Sequence, residues 1–287
     1  MIYRKLGKTG ISVSEIAAGC EGLVEKPYEF VRQFLDEMEK DGINCLDLYA
    51  PNPDMRSNLG AALKGRREKF VLQAHICSVW KNGQYMRTRN IDDVKEAFED
   101  QLKRLDTDHV EIGMVHYVDS EKDWETVRDG EVMKYALQLK KEGKISCIGL
   151  SSHNPTVSLA AVKSGLVDVL MFSINPCYDL LPASDDVNIL FDEKTYDKNF
   201  LNMDEERQEL YETCLSLGVG ITVMKAFGGG DLLDPKLSPA GKALTPYQCL
   251  HYALSRPAVS CVMSGARTIE ELHDCAGYEN ASEEQKD

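Results

Sequence analysis

The sequence lacks cysteines in the short spacings that hold metals. Its nine cysteines lie singly, at Cys20, Cys45, Cys77, Cys147, Cys177, Cys214, Cys249, Cys261 and Cys275, and no Cys-x-x-Cys occurs. Neither a zinc site nor an iron–sulfur cluster is therefore written in the chain. Several of these thiols fall within apolar strand candidates, which suits buried free cysteines in a reducing, cytoplasmic setting. Positive charge is scarce. Thirty-three Lys and Arg stand against 47 Asp and Glu, a formal net charge of -14, where a nucleic-acid surface would need basic excess. No apolar run approaches the roughly 20 residues of a membrane span. Met1-Ile2-Tyr3-Arg4-Lys5 opens directly on strand-like sequence, so neither a signal peptide nor a membrane partner is expected. Also missing are a Pro/Gly/Ser-rich linker, a short repeat, and a Gly-x-Gly-x-x-Gly after the first strand candidate, the fingerprint of the open dinucleotide fold.

What is there is an alternation of short apolar runs with longer amphipathic stretches. Ile2 to Val13, with Gly7 and Gly10 at a turn, reads as a hairpin. Strand candidates follow at Glu15–Cys20, Ile43–Leu48, Phe70–His75, Val110–His116, Ile145–Leu150, Val167–Phe172, Gly220–Met224 and Val259–Met263. Several are nearly continuous apolar runs, as strands buried on both faces require. Helical patterns lie between them. Phe30, Phe34 and Met38 share a face, and Val94, Phe98 and Leu102 continue a helix opened by Ile91-Asp92-Asp93. Trp124 to Lys141 reads as one longer helix, and Glu205–Leu217, Pro246–Ser255 and Thr268–Cys275 follow. Thr245 before Pro246 is an N-cap candidate, and Thr268 with Glu271 fits a capping box. Pro182–Asp204 is the longest interruption and reads as a polar loop. With 287 residues and 43% hydrophobic content, the pattern predicts an α/β chain. The expected fold is one (β/α)8 TIM barrel over residues 1–287 with an N-terminal β-hairpin.

In such a barrel the C-terminal ends of the strands carry the chemistry. That rule selects Asp47 and Tyr49 after the second strand, His75 after the third and His116 after the fourth. Ser151, Ser152 and His153 follow the fifth strand, Ser173 and Asn175 the sixth, Lys225 the seventh, and Ser264, Gly265 and Arg267 the eighth. Two histidines, an aspartate and a tyrosine converging from different strands can move a proton at neutral pH. Each has an ordinary alternative: an Asp that caps a loop, a His that is simply hydrogen-bonded, a Tyr that fills space. Gly228-Gly229-Gly230, after Phe227, lets the backbone approach a phosphate. Otherwise it is only a turn. Arg267, near the start of the last helix, favours an anion or is a surface arginine. Trp80, Tyr85 and Tyr178 fall on strand-end loops, where they line a pocket or merely pack.

The motifs resemble those of the aldo-keto reductases. The resemblance rests on Tyr3-Arg4-Lys5-Leu6-Gly7-Lys8-Thr9-Gly10, Gly42-Ile43-Asn44-Cys45-Leu46-Asp47, Asn58-Leu59-Gly60 with Leu63, Met114-Val115-His116, Ile148-Gly149-Leu150-Ser151-Ser152 and Ser264-Gly265-Ala266-Arg267, in order along nearly the whole chain. It implies NAD(P)H-dependent reduction of a small carbonyl compound, or oxidation of an alcohol. Asp47 and His116 then belong to the catalytic set. The segment with Ser151 and Ser152 holds the nicotinamide amide, with Ser173, Phe227 and the glycines nearby, and Ser264, Gly265 and Arg267 hold the adenosine end. Arg267 facing a 2′-phosphate favours NADP over NAD, although Glu271 stands where NADP-binding relatives place a second arginine. Two positions depart from the pattern. The family tyrosine falls at Asn52 and the family lysine at His75, while the nicotinamide-stacking tyrosine falls near Met224 and a small or acidic residue at Lys225. Tyr49 as acid, His75 as acid, or Lys225 as the missing charge are three repairs.

The chain is most similar to a bacterial subgroup whose members often carry a C-terminal ferredoxin-like extension with 4Fe-4S clusters. It stops at Asp287, about where that extension would begin, so either the form lacks the extension or the extension was removed; with no cysteine cluster in the sequence, no 4Fe-4S cluster is expected in it, and a ferredoxin-type electron partner follows only if a cluster partner exists. Two readings stand beside the oxidoreductase: an isomerase or lyase using His75, His116 and Lys225, the last as a Schiff-base amine, and a non-catalytic nucleotide-binding barrel.

Overall fold

A computed structural model of the chain describes residues 1–197 and 202–287. The hairpin comes first, β1 (Tyr3–Lys5) antiparallel to β2 (Ser12–Ser14) with Tyr3 opposite Ser14. The barrel strands are β3 (Ile16–Gly19), β4 (Cys45–Leu48), β5 (Val71–Ile76), β8 (Val110–Val115), β9 (Ile145–Ser152), β10 (Val169–Ser173), β11 (Gly220–Met224) and β12 (Val259–Ser264). They close in that order, with β12 pairing β3, and every neighbouring pair is parallel. All eight expected strands are present, each displaced by no more than two residues at an end. Between β5 and β8 lies a feature the apolar pattern did not announce: β6 (Ser78–Lys81) and β7 (Gln84–Arg87) form a second antiparallel hairpin. Asn82 (φ 55°) and Gly83 (φ 76°) make its turn. Two consecutive left-handed residues are what a two-residue hairpin turn demands, and Asn-Gly meets that demand at least strain.

The outer layer is α1 (Tyr28–Asp41), α2 (Pro53–Leu63), α3 (Ile91–Arg104), α4 (Glu121–Asp129), α5 (Glu131–Lys141), α6 (Pro155–Lys163), α7 (Glu205–Leu217), α8 (Pro246–Leu254), α9 (Ile269–Ala276) and a terminal turn, α10 (Glu283–Lys286). The single helix expected from Trp124 to Lys141 is two. Gly130 (φ -92°, ψ -167°) is extended and separates α4 from α5, because a glycine there gains nothing from helix and relieves the chain into a bend. Helix α6, which the pattern also did not announce, begins on Asn154, whose side chain caps Thr156 and Val157. Thr245 makes the full capping box with Gln248. At Thr268 only half of the expected box forms: its hydroxyl accepts from the Glu271 N–H, but the Glu271 carboxylate accepts from Arg267 N, one residue further back. The Pro182–Asp204 connection contains short 3-10 turns at Val187–Leu190 and Glu193–Asp197, and the part of it at residues 198–201 lies outside the described residues.

The barrel interior is graded. Its lower part is apolar, with Ala17, Cys45, Ile112, Met114, Cys147, Val169, Met171, Cys261 and Met263 packed over Leu6 and Val13 of the first hairpin. Gly7 (φ 52°) lets that hairpin close the floor, since a Cβ there would stand 2.3 Å from the Gly218 carbonyl oxygen. A polar layer begins above. Thr222 Oγ1 donates to Gln73 Oε1 (3.1 Å), and Gln73 Nε2 donates to Asp47 Oδ1 (2.7 Å). Thr222, Gln73 and Asp47 are tolerated in the interior because they are hydrogen-bonded to one another, and the grading carries polar side chains towards the strands' C-terminal rim. All nine cysteines are buried and free.

Candidate active site

Asp47 and His75 leave adjacent strands β4 and β5 and point into the barrel, and both are nearly fully buried. His75 Nε2 lies 2.8 Å from Asp47 Oδ1, and His75 Nδ1 lies 2.7 Å from His116 Nδ1. His116 directly follows β8, and its Nε2 lies 2.8 Å from the Tyr85 hydroxyl. Four side chains from β4, β5, β8 and β7 thus form one continuous hydrogen-bonded line. With Asp47 ionised and both imidazoles neutral, a single set of tautomers satisfies it. His75 donates from Nε2 to the carboxylate and accepts at Nδ1; His116 donates from Nδ1 and accepts at Nε2; Tyr85 donates its O–H.

The backbone holds this line in place. Tyr117 has a left-handed φ of 54°, a strained conformation for a residue with a side chain. Arg89 grips both sides of it, donating from Nη1 to the His116 carbonyl (2.9 Å) and from Nη2 to the Tyr117 carbonyl (2.8 Å), while Asp123 holds the guanidinium. Arg87 donates to the same Tyr117 carbonyl and lies over its ring. Burial, then the charges of His75, Arg89, His153 and Arg87, hold His116 well below the usual imidazole pKa. It is neutral at physiological pH, as a group that must both accept and donate requires. Burial raises the Tyr85 hydroxyl, against the pull of Arg87 and Arg89.

The other rim residues sort by what they touch. Tyr49 stacks on His116 (centroids 5.9 Å apart, planes 9° apart) and meets Tyr85 edge-on; burial, then the negative charge of Glu21, raises its pKa. Asn52 caps α2, accepting from Met55 N at 2.8 Å. Lys225 sits at φ 59° with its ammonium 5.1 Å from the Phe191 ring, and burial lowers its pKa against Glu21. It stands across the rim from the imidazoles, outside the hydrogen-bonded line. Ser151 Oγ accepts from Tyr117 N (2.8 Å) and keeps its own hydrogen to donate. Ser152 Oγ donates to Asp119 Oδ1 (3.0 Å), whose other oxygen pairs with His153 Nδ1 (2.9 Å). Ser264 Oγ is turned into the wall, donating to the Ala17 carbonyl, and Asn175 is likewise committed, to Lys225 O, Cys177 N and Tyr178 N.

Ser173 Oγ and Tyr178 Oη are buried and unpartnered beside the β10 end. Gly228, Gly229 and Gly230 all carry positive φ. Nothing lies within 4 Å of a Cβ placed on Gly230 or Gly265, and Arg267 is exposed. The N–H groups of Gly228 and Gly230 already donate to the Lys225 and Phe227 carbonyls, so a phosphate-bearing ligand on this arc would meet the Gly229 N–H, Ser173 and the Arg267 side chain. Tyr85 entered the sequence reading only as a pocket-lining residue; the Asn82-Gly83 turn between Val79-Trp80-Lys81 and Gln84-Tyr85-Met86 was the signal that projects it over the rim. Gln73, Glu21 and Asp119 carried no motif, because their roles arise from contacts across the barrel. Among the described residues no group of three or more His, Cys, Asp or Glu is arranged to hold a metal, and no helix is long and apolar enough to cross a membrane.

Residues 22–243 match the model of the Aldo/keto reductase family. The oxidoreductase YqkF of Bacillus subtilis is 28% identical over 303 residues, spanning 98% of this chain and 92% of that protein. The aldo-keto reductase YhdN of the same organism is 28% identical over 326 residues, 100% and 92% of the two chains. The structure of the aldo-keto reductase AKR11C1 from Bacillus halodurans, in its holo form, superposes with a TM-score of 0.75 at 23% identity, covering 100% of this chain and 94% of that one.

Proposed function

The chain belongs to the aldo/keto reductase family of oxidoreductases, and on that premise we propose that it interconverts a small carbonyl compound and its alcohol with NADP or NAD, using a non-standard catalytic set. The observation that carries this reading is the Asp47–His75–His116 line at the C-terminal rim. His75 stands in the family lysine's place and touches the same aspartate that the lysine would. A bound nicotinamide dinucleotide supplies or accepts the hydride. The chain's own residues fit such a group: Ser151 has a hydroxyl hydrogen to give to the nicotinamide amide, Ser173 Oγ is an orphaned buried donor, and in the Phe227–Gly230 arc the exposed, positive-φ Gly229 offers its N–H to the diphosphate. Gly265 and Arg267 would meet the adenosine end, with Ser264 supporting them from the wall. Arg267 favours the 2′-phosphate of NADP.

Within this site His75 takes the family lysine's position beside Asp47, Asp47 fixes the His75 tautomer, and His116 joins His75 to the Tyr85 hydroxyl at the rim. Titrating the purified protein with NADPH and with NADH, following nicotinamide fluorescence, tests the reading. Saturable binding of either, with turnover of an aldehyde, is the expected result; no binding by the folded protein would reject it. One observation favours a second reading. Lys225 is a half-buried amine whose pKa burial lowers, as Schiff-base catalysis needs, and borohydride trapping of a carbonyl adduct at Lys225 would move the isomerase or lyase ahead.

A further inference from the structure

We propose that Tyr85 is the proton donor of this site and that His116, His75 and Asp47 are the relay that reloads it. The assignment rests on the carbonyl–alcohol reading above. Tyr85 is the only member of the hydrogen-bonded line that reaches solvent: its residue exposure is 43%, whereas Asp47, His75 and His116 are buried. A phenol at the open end of a buried relay is where a carbonyl oxygen can meet it. Tyr49, nearer in sequence to the family position, stacks its ring on His116 and makes no hydrogen bond to either imidazole.

The line has two proton states. In the unloaded state three hydrogens occupy its three contacts, all pointing from Tyr85 towards Asp47. Addition of one proton reverses the two contacts nearest Tyr85. His75 becomes an imidazolium, donating from Nε2 to Asp47 and from Nδ1 to His116. His116 stays neutral but moves its hydrogen from Nδ1 to Nε2 and donates to the Tyr85 oxygen, and Tyr85 turns its O–H outward. Reduction consumes that state. The carbonyl π bond breaks as hydride from the dinucleotide forms the new C–H bond, and the Tyr85 hydrogen forms the new O–H bond. The Tyr85 oxygen takes the His116 Nε2 hydrogen, and His116 Nδ1 takes the hydrogen of His75, which returns to neutral. A bound dinucleotide would supply the hydride and with it the two electrons that the carbonyl gains, and the relay loses one proton that solvent restores through Tyr85. Alcohol oxidation runs the same line in reverse. The 2.7 Å separation of the two Nδ1 atoms accommodates one hydrogen and not two, so the pair cannot be doubly charged.

The groups facing His116 set this balance: His75 and Asp47 from β5 and β4, Tyr49 beside them, Tyr85 and Arg87 from β7, Arg89 before α3, and Tyr117 and His153 from the following rim. The deciding measurement is nitrogen NMR of isotopically labelled histidine side chains in the dinucleotide-free protein, titrated from about pH 8 to about pH 5. The expected result is that His75 charges while His116 stays neutral and changes tautomer. A His116 that itself becomes the imidazolium, or keeps its hydrogen on Nδ1 throughout, overturns the relay. In parallel, 4-nitrobenzaldehyde is reduced with NADPH or NADH. Tyr85→Phe should lower kcat by about 100-fold or more with KM little changed, and a variant within about threefold of the parent overturns Tyr85 as donor. Should the parent protein reduce no aldehyde while the tautomer switch is present, the relay stands and the carbonyl reading fails.

Discussion

Replacing Arg207 by methionine removes a cation that is almost fully buried under the β10 end. Arg207 donates from Nε to the Leu181 carbonyl (3.1 Å) and from Nη1 to the Ser173 carbonyl (3.2 Å), pairs with Asp179 Oδ1 at 3.4 Å, and stacks over Phe172. Asp179 is itself inaccessible and is otherwise held by the hydroxyls of Tyr211 (2.5 Å) and Tyr252 (2.9 Å). Methionine retains the stem's packing, so the loss is electrostatic. It leaves one buried carboxylate without its cation and two carbonyls without donors. Breaking a buried pair in this way costs about 3–5 kcal/mol, and stranded acceptors add about 1 kcal/mol or more each, not additively. We therefore expect a loss of about 4–5 kcal/mol, a large part of the roughly 5–15 kcal/mol that holds a domain together.

The pH dependence makes this reasoning refutable. Burial already outweighs Arg207 and the two tyrosines and raises the Asp179 carboxyl above its ordinary value. An acid raised in the folded state contributes stability that is complete below its unfolded pKa, about 3.9, and is lost as pH rises through the folded value. Removing Arg207 raises that value further and widens the window upward. The Arg207→Met deficit should thus be largest near neutrality and shrink in acid by up to about 1.4 kcal/mol per pH unit. Urea unfolding followed by circular dichroism at several pH values reads it out. Adding Asp179→Asn should recover much of the loss at neutral pH. A deficit below about 1 kcal/mol, or one flat with pH, would show that the pair is not the buried ionic element described.

Three further outcomes follow from named contacts. His116 is depressed in the folded protein, so its contribution is present above the unfolded imidazole pKa, about 6.5, and is lost as pH falls below it; the parent should lose up to about 1.4 kcal/mol per pH unit there, and His116→Asn should flatten that slope in urea unfolding. Gly60 of α2 faces α3 so closely that a Cβ would stand 2.1 Å from the Arg104 carbonyl oxygen; Gly60→Ala should cost about 2 kcal/mol or more, against the gain that alanine brings to an ordinary helix position, visible as a lowered Tm. Arg267→Ala should weaken NADPH about tenfold and NADH little, measured by fluorescence titration, and equal effects on both would remove Arg267 from the 2′-phosphate.

The barrel was legible in the sequence because its two periodicities are strong. Continuous apolar runs such as Val169–Phe172 are buried from both sides, and Phe34 and Met38 show the four-residue repeat of α1. Illegible stretches were those where one residue outweighs a pattern. Gly130 splits a hydrophobic repeat that otherwise runs unbroken from Trp124 to Lys141. Asn82-Gly83 folds back a segment with too little apolar alternation to register as strands, since Trp80 and Tyr85 are 40% and 43% exposed and face each other outside the core.

The site was half legible for a related reason. Strand-end position named Asp47, His75 and His116, because barrel geometry maps sequence order onto the rim. It could not name the order of contacts among them, nor the fourth member. A family pattern looks for the phenol five residues after Asp47, and Asn52 there is a helix cap. The phenol that meets His116 instead arrives from a hairpin, brought over the rim by a turn rather than by a strand end. On the proposed reading, Asn52 and His75 in place of the family tyrosine and lysine do not by themselves remove function. That reading needs a histidine beside Asp47 and an acid carried by a hairpin, with the second imidazole between them to join the two. The 2.7 and 2.8 Å contacts of His116 meet that condition, and no single-position comparison with the family pattern would have exposed it.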